Sequence, residues 1–340
     1  MRAVVYRECG DSAVLHLEER PLVEPAAGEV RVRIHVSGVN PTDWKSRRGL
    51  GSSSLLAGSQ VPNQDGAGVI DAVGAGVDPA RIGERVWVWE AAWQRAEGTA
   101  QDCLCLPSRQ AVALPASASF DLGASLGIPA LTAHRCLTAH DAVPSRLSPG
   151  AMAGLAVLVT GGAGAVGHAA IQLARWAGAT VAATVSGPAK GVLARAAGAD
   201  LVVDYRTEDV ASAVRDMCAR GVDVVVEVAP NANAAVNARV VANDATVSFY
   251  AQDGPSDLCV PLRPHMSAGT RLQGVLVYTV SAAAKDDAVA AVAAAVADGA
   301  MPVGEAHGLP LHRFTLEQTD RAHDAVEAAA TGKVLIDVAD

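Results

Sequence analysis

No two of the six cysteines form a CxxC pair. Cys9, Cys103, Cys105, Cys136, Cys218 and Cys259 are scattered along the chain, which excludes a zinc-ribbon pattern and points to free thiols in a reducing compartment. Cys103 and Cys105 fall on one face of a strand, and that spacing alone implies neither a disulfide nor a metal site. There is also no basic block. The formal net charge is −9 and the acidic residues are dispersed, so the field repels phosphate backbones and anionic membranes and argues against nucleic acid as the main partner. Met1-Arg-Ala-Val-Val-Tyr6 enters strand-like alternation directly, without the apolar stretch of a signal peptide. The one long Ala/Val-rich segment, 282–297, carries Lys285, Asp286 and Asp287 and has too little apolar length to span a bilayer. A cytoplasmic location without membrane association is expected. With 340 residues, 50% hydrophobic and 19% charged, the chain can bury a sizeable core and is long enough for two domains.

Against these absences stands one dense signal, Ala156-Val-Leu-Val-Thr-Gly-Gly-Ala-Gly-Ala-Val-Gly-His168. Its first five residues have the continuous apolar character of a strand buried on both faces, and Val166, Ala170, Leu173 and Ala174 recur at helical spacing. Gly162, Gly164 and Gly167 therefore stand in GxGxxG order at a strand-to-helix junction. Ala163, Gly164, Ala165 and Val166 become the candidate pyrophosphate contacts, through backbone amides at the positive end of the helix.

What is missing further on selects the dinucleotide. An NAD-selecting fold usually places Asp or Glu about 20 residues beyond the glycines, at the end of the second strand. Here the strand 180–185 ends in Ser186-Gly-Pro-Ala-Lys190, without a carboxylate. Ser186 can donate to a 2′-phosphate and Lys190 can neutralise it, so NADPH is the expected cofactor. The bland alternative is a Ser-Gly-Pro turn with a solvated lysine opening the next helix.

The first 128 residues read mostly as short strands and turns, at 30–36, 68–73, 85–89 and 103–107. From 156 onward, strands at 156–160, 180–185, 201–204, 222–229, 246–250 and 272–278 alternate with helical patterns, which predicts a doubly wound parallel sheet. The alanine-rich stretch after Ser281 and the final Gly332-Lys-Val-Leu-Ile-Asp-Val338 lie beyond the sixth strand and are expected to return to the first domain.

Gly38-Val-Asn-Pro-Thr-Asp-Trp-Lys-Ser-Arg-Arg-Gly49, Gln64-Asp-Gly-Ala-Gly-Val-Ile70, Gly83-Glu-Arg-Val86, Gly127-Ile-Pro-Ala-Leu-Thr-Ala-His134 and the glycine turn follow one another over nearly the whole chain. In this order they resemble the medium-chain dehydrogenases/reductases, and most closely the zinc-free, zeta-crystallin-like quinone oxidoreductase family. The resemblance implies an α/β protein: a GroES-like β-rich catalytic domain (1–128 and 281–340), a Rossmann doubly wound parallel-sheet domain (129–280) that binds NADP(H), a cleft between them, and a homodimer. In zinc-dependent members a Cys, a His-Glu pair and a further Cys hold the metal. The matching places here are Asn40, Gln64-Asp65 and Ile128, and the four-Cys structural lobe is missing after Gly83-Glu-Arg-Val86. Only Asp65 suits zinc, so no metal is expected.

Without a Lewis acid, simple alcohol oxidation loses its main electrostatic help. Quinones and α,β-unsaturated carbonyls need less, because hydride addition gives a phenolate or enolate that ordinary donors stabilise. The resemblance nominates Asn40 as a hydrogen-bond donor to the acceptor and Lys45 as proton donor or oxyanion stabiliser, with a solvated surface lysine as the alternative reading of Lys45. It places Thr132, Tyr250 and the stretch from Val275 to Val277 around the nicotinamide, Asn231 facing the cofactor, and Tyr205 near the adenine ribose phosphate. Trp44, Trp87, Trp89 and Trp93 allow a flat pocket for an aromatic acceptor, although Trp87 and Trp89 at strand spacing suit core packing better. Two other functions stay open: an enoyl-thioester reductase, which would call for a basic patch that is not evident, and a cofactor-binding protein with a structural role.

Overall fold

The computed structural model describes residues 1–50, 58–252 and 254–339. They divide into two compact units, Met1–Ile128 with Pro310–Asp340, and Pro129–Leu309.

The first unit is β-rich. Its chain runs β1 (Arg2–Val5), β2 (His16–Glu19), β3 (Glu29–Val39), α1 (Pro41–Arg47), β4 (Asp65–Val73), β5 (Arg85–Val88), β6 (Cys103–Pro107) and β7 (Ala111–Ala113), and then enters α2 (Phe120–Leu137), within which the unit boundary falls. The eleven residues of β3 alternate around a buried apolar face formed by Val30, Val32 and Ile34, all 0% exposed, as a half-covered antiparallel strand requires. β3 carries the sheet: it pairs antiparallel with β4, with β6 and with the C-terminal strand. α1, which the sequence pattern leaves unassigned, starts with Pro41 at its first position, where the missing N–H costs nothing.

The second unit runs β8 (Ala156–Val159), α3 (Ala165–Trp176), β9 (Thr180–Val185), α4 (Pro188–Ala196), β10 (Leu201–Asp204), α5 (Val210–Met217), β11 (Val222–Glu227), α6 (Pro230–Val240), β12 (Val241–Phe249), α7 (Leu262–Ala268), β13 (Arg271–Gly274) and α8 (Ala282–Ala297). All pairings in its six-stranded sheet are parallel, in the order β10-β9-β8-β11-β12-β13. That order reverses beside β8, the doubly wound arrangement the sequence predicts. The strand expected over 272–278 is shorter: it stops at Gly274, and Val277–Thr279 forms a 3-10 turn.

Residues 281–309 stay with the second unit, contrary to the expectation that they return to the first. Ala288, Ala291, Val292, Ala295 and Val296 recur at helical spacing and are buried, and Trp176 Nε1 donates to Asp298 at 2.8 Å. Beyond α8, Gln172 Nε2 donates to the Pro302 carbonyl and His168 Nε2 to the His307 carbonyl, each at 2.9 Å, which ties 302–307 to α3. Desolvation lowers the His168 pKa to about 4, so the ring is neutral near pH 7. The chain then re-enters the first unit through β14 (Leu311–Thr315), α9 (Thr319–Glu327) and β15 (Lys333–Asp337). β15 lies antiparallel to β3, with Leu335 opposite Gly38. No helix among the described residues is long and apolar enough to cross a membrane.

Candidate functional site

In the second unit the chemistry-bearing residues gather at the carboxyl ends of β8, β9, β10 and β11. The three motif glycines divide into two that packing requires and one that it does not. A Cβ on Gly162 would stand 2.9 Å from Ala183 Cβ, and one on Gly167 would stand 2.3 Å from the Gly161 carbonyl oxygen, so both glycines permit close packing of the turn. A Cβ on Gly164 would meet only the Gly161 oxygen, at 3.5 Å. Gly164 is exposed, and it opens the twelve-residue α3, whose first helical bond runs from His168 N–H to the Gly164 carbonyl at 2.8 Å. The amides of Ala165 and Val166 are thereby left at the helix's positive end with room in front of them. Ala163 is 4% exposed and can contribute only its backbone there.

Glu227 holds this turn, a role that the sequence reading misses. Its carboxylate is fully buried at the end of β11. Oε1 accepts from Thr160 Oγ1 (2.7 Å), from the Ala229 amide (2.7 Å) and from Asn233 Nδ2 (2.9 Å), and Oε2 accepts from Asn237 Nδ2 (2.8 Å). Thr160 in turn accepts from the Val228 amide at 2.9 Å. One carboxylate thus fixes the loops after two adjacent parallel strands, on either side of the point where strand order reverses.

At the neighbouring strand ends, the pairing of Asp204 with Val185 brings Tyr205 and Arg206 beside Ser186. Ser186 and Lys190, the latter in the first turn of α4, are half-buried, whereas Tyr205 and Arg206 are exposed. Arg206 is a second cation at this corner. Asn231 is half-buried in the first turn of α6 and donates to the Pro255 carbonyl at 3.3 Å. Thr132 is buried on α2, and Tyr250 follows β12 with its amide on the Glu227 carbonyl. Val275 and Val277 bury their side chains, so any ligand contact from them is through backbone, a correction to their expected role as pocket lining.

In the first unit, four sequence motifs meet at one buried polar cluster. Asn40 Nδ2 donates to Asp65 Oδ2 at 2.7 Å, the Ile128 amide donates to Asp65 Oδ1 at 2.8 Å, and Lys333 Nζ donates to Asn40 Oδ1 at 2.7 Å and to Asp65 Oδ2 at 3.3 Å. The side chains of Lys333 and Asp65 are 1% and 0% exposed. Gly127 leaves room for the carboxylate, since a Cβ there would lie 2.0 Å from Asp65 Oδ1. Asn40 is 3% exposed with both ends of its amide engaged; it is part of this cluster and not the acceptor's donor that the sequence suggests. Trp87 and Trp89 are buried in the core and offer no flat pocket.

Burial pushes Asp65 above the usual carboxylate range and Lys333 below the usual amine range, and each partner opposes the shift of the other. Asp65 receives hydrogen bonds from three donors, which suits the carboxylate, so the pair is charged. Asp43, at the third position of α1, accepts from the Asn40 amide at 2.7 Å. Burial first, and then the Asp65 charge, push Asp43 up to about 8. It is therefore mostly protonated near neutral pH, leaving one anion for one cation. Zinc does not fit this place. Of the matched ligand positions only Asp65 has a suitable donor, and an ammonium already lies 3.3 Å from it. Among the described residues no group of three or more His, Cys, Asp or Glu side chains is placed to hold a metal. Lys45 lies half-buried on α1, with Nζ 5.8 Å from the Trp44 ring centre.

Comparison with known proteins finds two family matches and full-length relatives. Residues 26–145 match the alcohol dehydrogenase GroES-like domain family and residues 165–303 the zinc-binding dehydrogenase family. The quinone oxidoreductase of Mus musculus is 30% identical over 279 residues, 81% of this chain and 80% of its own length. Among solved structures, a mycobacterial protein complexed with NADPH is 27% identical, with 99% of both chains covered and a TM-score of 0.81. An NAD-dependent alcohol dehydrogenase is 26% identical, with full coverage of both chains and a TM-score of 0.86.

Two outcomes follow from these geometries. Gly167→Ala should cost roughly 1–3 kcal/mol of stability by overpacking, whereas Gly164→Ala should stay within about 0.5 kcal/mol of the original and weaken dinucleotide binding about tenfold. Thermal unfolding and cofactor titration of both variants check this split. Asp43 has a folded pKa far above its unfolded value, so its contribution to stability falls as pH rises from about 4 to about 8, by up to about 1.4 kcal/mol per pH unit. Asp43→Asn mimics the protonated form and removes that slope. Denaturant unfolding should show its advantage over the parent growing with pH and levelling off above about 8.

Proposed function

Because the chain belongs to the quinone oxidoreductase-like family of medium-chain dehydrogenases/reductases, we propose that it is an NADPH-dependent reductase that transfers hydride to a quinone or α,β-unsaturated carbonyl without zinc. The observation that carries this reading is the open amide end of α3 beside a strand-end corner that offers a hydroxyl and two cations, Ser186, Lys190 and Arg206, and has no acid at the end of β9. The NADPH-bound mycobacterial relative supports the cofactor assignment. When bound, NADPH supplies a hydride, two electrons and a proton, to the acceptor.

The chain's own residues do the rest. Ser186 and Lys190 pair the 2′-phosphate, Tyr205 and Arg206 flank it, and the amides of Ala165 and Val166 face the pyrophosphate. Thr132, Tyr250 and the backbone at Val275 and Val277 surround the nicotinamide, and Asn231 faces the cofactor. Lys45 stabilises the phenolate or enolate left by hydride addition and delivers the second proton from its ammonium, which solvent restores. We further propose a cytoplasmic homodimer. The position of β13 at the end of the six-stranded sheet, with Leu272 and Leu276 exposed beside it, supports the second half of that reading.

The direct test is NADPH oxidation across quinones, enones and enoyl thioesters in the presence of a chelator; turnover with none of them overturns the proposal. NADPH should bind more tightly than NADH, and Lys190→Ala should narrow the difference by roughly 1–2 kcal/mol, the scale of a charge-assisted hydrogen bond. Equal affinities in the unmodified chain would remove the basis for the cofactor assignment. Lys45→Met should lower kcat roughly 10–100-fold and leave NADPH affinity nearly intact. Single-turnover hydride transfer and the NADPH Kd of the same variant separate that role from a cofactor contact, which would shift Kd instead.

A further inference from the structure

The C-terminal strand sends one lysine into the first unit where chemistry leads one to look for a metal. Lys333 begins β15, beside β3, and its stem passes Gly38, where an added Cβ would lie 3.0 Å from Lys333 Cε and 2.0 Å from the Ala124 carbonyl. Its ammonium then reaches Asn40, which follows β3 and caps α1, and Asp65, the first residue of β4. Asp65 carries the bond on to the Ile128 amide. A single positive charge therefore joins four segments that are far apart in sequence, which is the mechanical work of a multidentate metal ion.

We propose that Lys333 is the resident cation of this unit, a positioning residue whose ammonium replaces a metal in fixing the start of α1 and hence the placement of Lys45. Three features support charge and not simple packing as the agent. Asn40 presents its carbonyl oxygen to Lys333 and its amide to Asp65, an orientation that requires a donor on one side and an acceptor on the other. Gly127 leaves the carboxylate the space it occupies, since an added Cβ there would lie 2.0 Å from Asp65 Oδ1. Asp65 has no room to reach water, so loss of its ammonium leaves a buried carboxylate with only neutral donors. The inference rests on the proposed function only in giving Lys45 its role, and the order of α1 can be read without turnover.

The test uses Lys333→Ala in the full chain, with hydrogen exchange followed separately in α1 and in α3. Exchange across α1 should rise at least about tenfold while that of α3 is unchanged. n-Propylammonium, which supplies the three carbons and the ammonium that were removed, should restore protection to α1, and n-propanol of matching shape should not. Unchanged exchange in α1, or equal rescue by the alcohol, overturns the proposal. Should this variant fail to fold, Lys333→Met/Asp65→Asn removes both charges together. It should fold with α1 still loosened about tenfold, and parental protection of α1 in it would equally overturn the assignment.

Discussion

The buried ion pair between Lys333 and Asp65, with Asn40 and the Ile128 amide bonded to it, ties together four segments of the first unit that are far apart in sequence. Burying either charge alone costs several kcal/mol, and breaking such a pair typically costs about 3–5 kcal/mol. The surroundings must therefore present both partners together or neither. Gly127 is small because the carboxylate is there, Asn40 is turned by the pair, and β15 lies beside β3 to deliver the lysine. Asp43 extends the same logic: beside one carboxylate already paired, a second holds its proton and acts as a neutral brace for α1. The first unit thus arranges acid, amide and ammonium at the root of the helix that carries Lys45.

In the second unit a different solution serves a different need. Glu227 spends its buried carboxylate on neutral donors, Thr160, Asn233, Asn237 and the Ala229 amide. This ties the loops after β8 and β11 together without placing a cation near the amides at the start of α3. The positive charge appears farther out, at Lys190 and Arg206. The proposed cofactor contacts and the proposed turnover residue thus lie in separately built units, and the two roles should respond to different substitutions.

Short apolar strands were legible in the sequence: 180–185 and 201–204 coincide with β9 and β10, because a continuous apolar run bounded by turn residues has few other readings. α1 was not, since seven residues behind a proline give too short a period. α8 was recognised as a helix but attached to the wrong unit. Its alanines give no strong contrast between faces, and the contacts that decide its place, Trp176 with Asp298 and Gln172 with Pro302, are made by residues more than 120 positions away. Asn40, which the resemblance matches to a zinc-ligand position, has its amide on Asp65 and its carbonyl on Lys333, partners that lie 25 and 293 positions away and leave no local signal. Lys333 had a signal that went unused. The chain has only four lysines among its 27 Lys and Arg residues, and none is exposed: Lys45 and Lys190 are half-buried, Lys285 and Lys333 buried. Where solvated cations are arginines, a lysine marks a place that needs a compact point charge.

The claim that an ammonium stands where zinc would act is tested most directly by anomalous diffraction at the zinc edge, from crystals equilibrated with a zinc salt. The account predicts no peak within coordination distance of Asn40 and Asp65, with Lys333 Nζ still bound to both. A zinc peak between those side chains, with the lysine displaced, would contradict it.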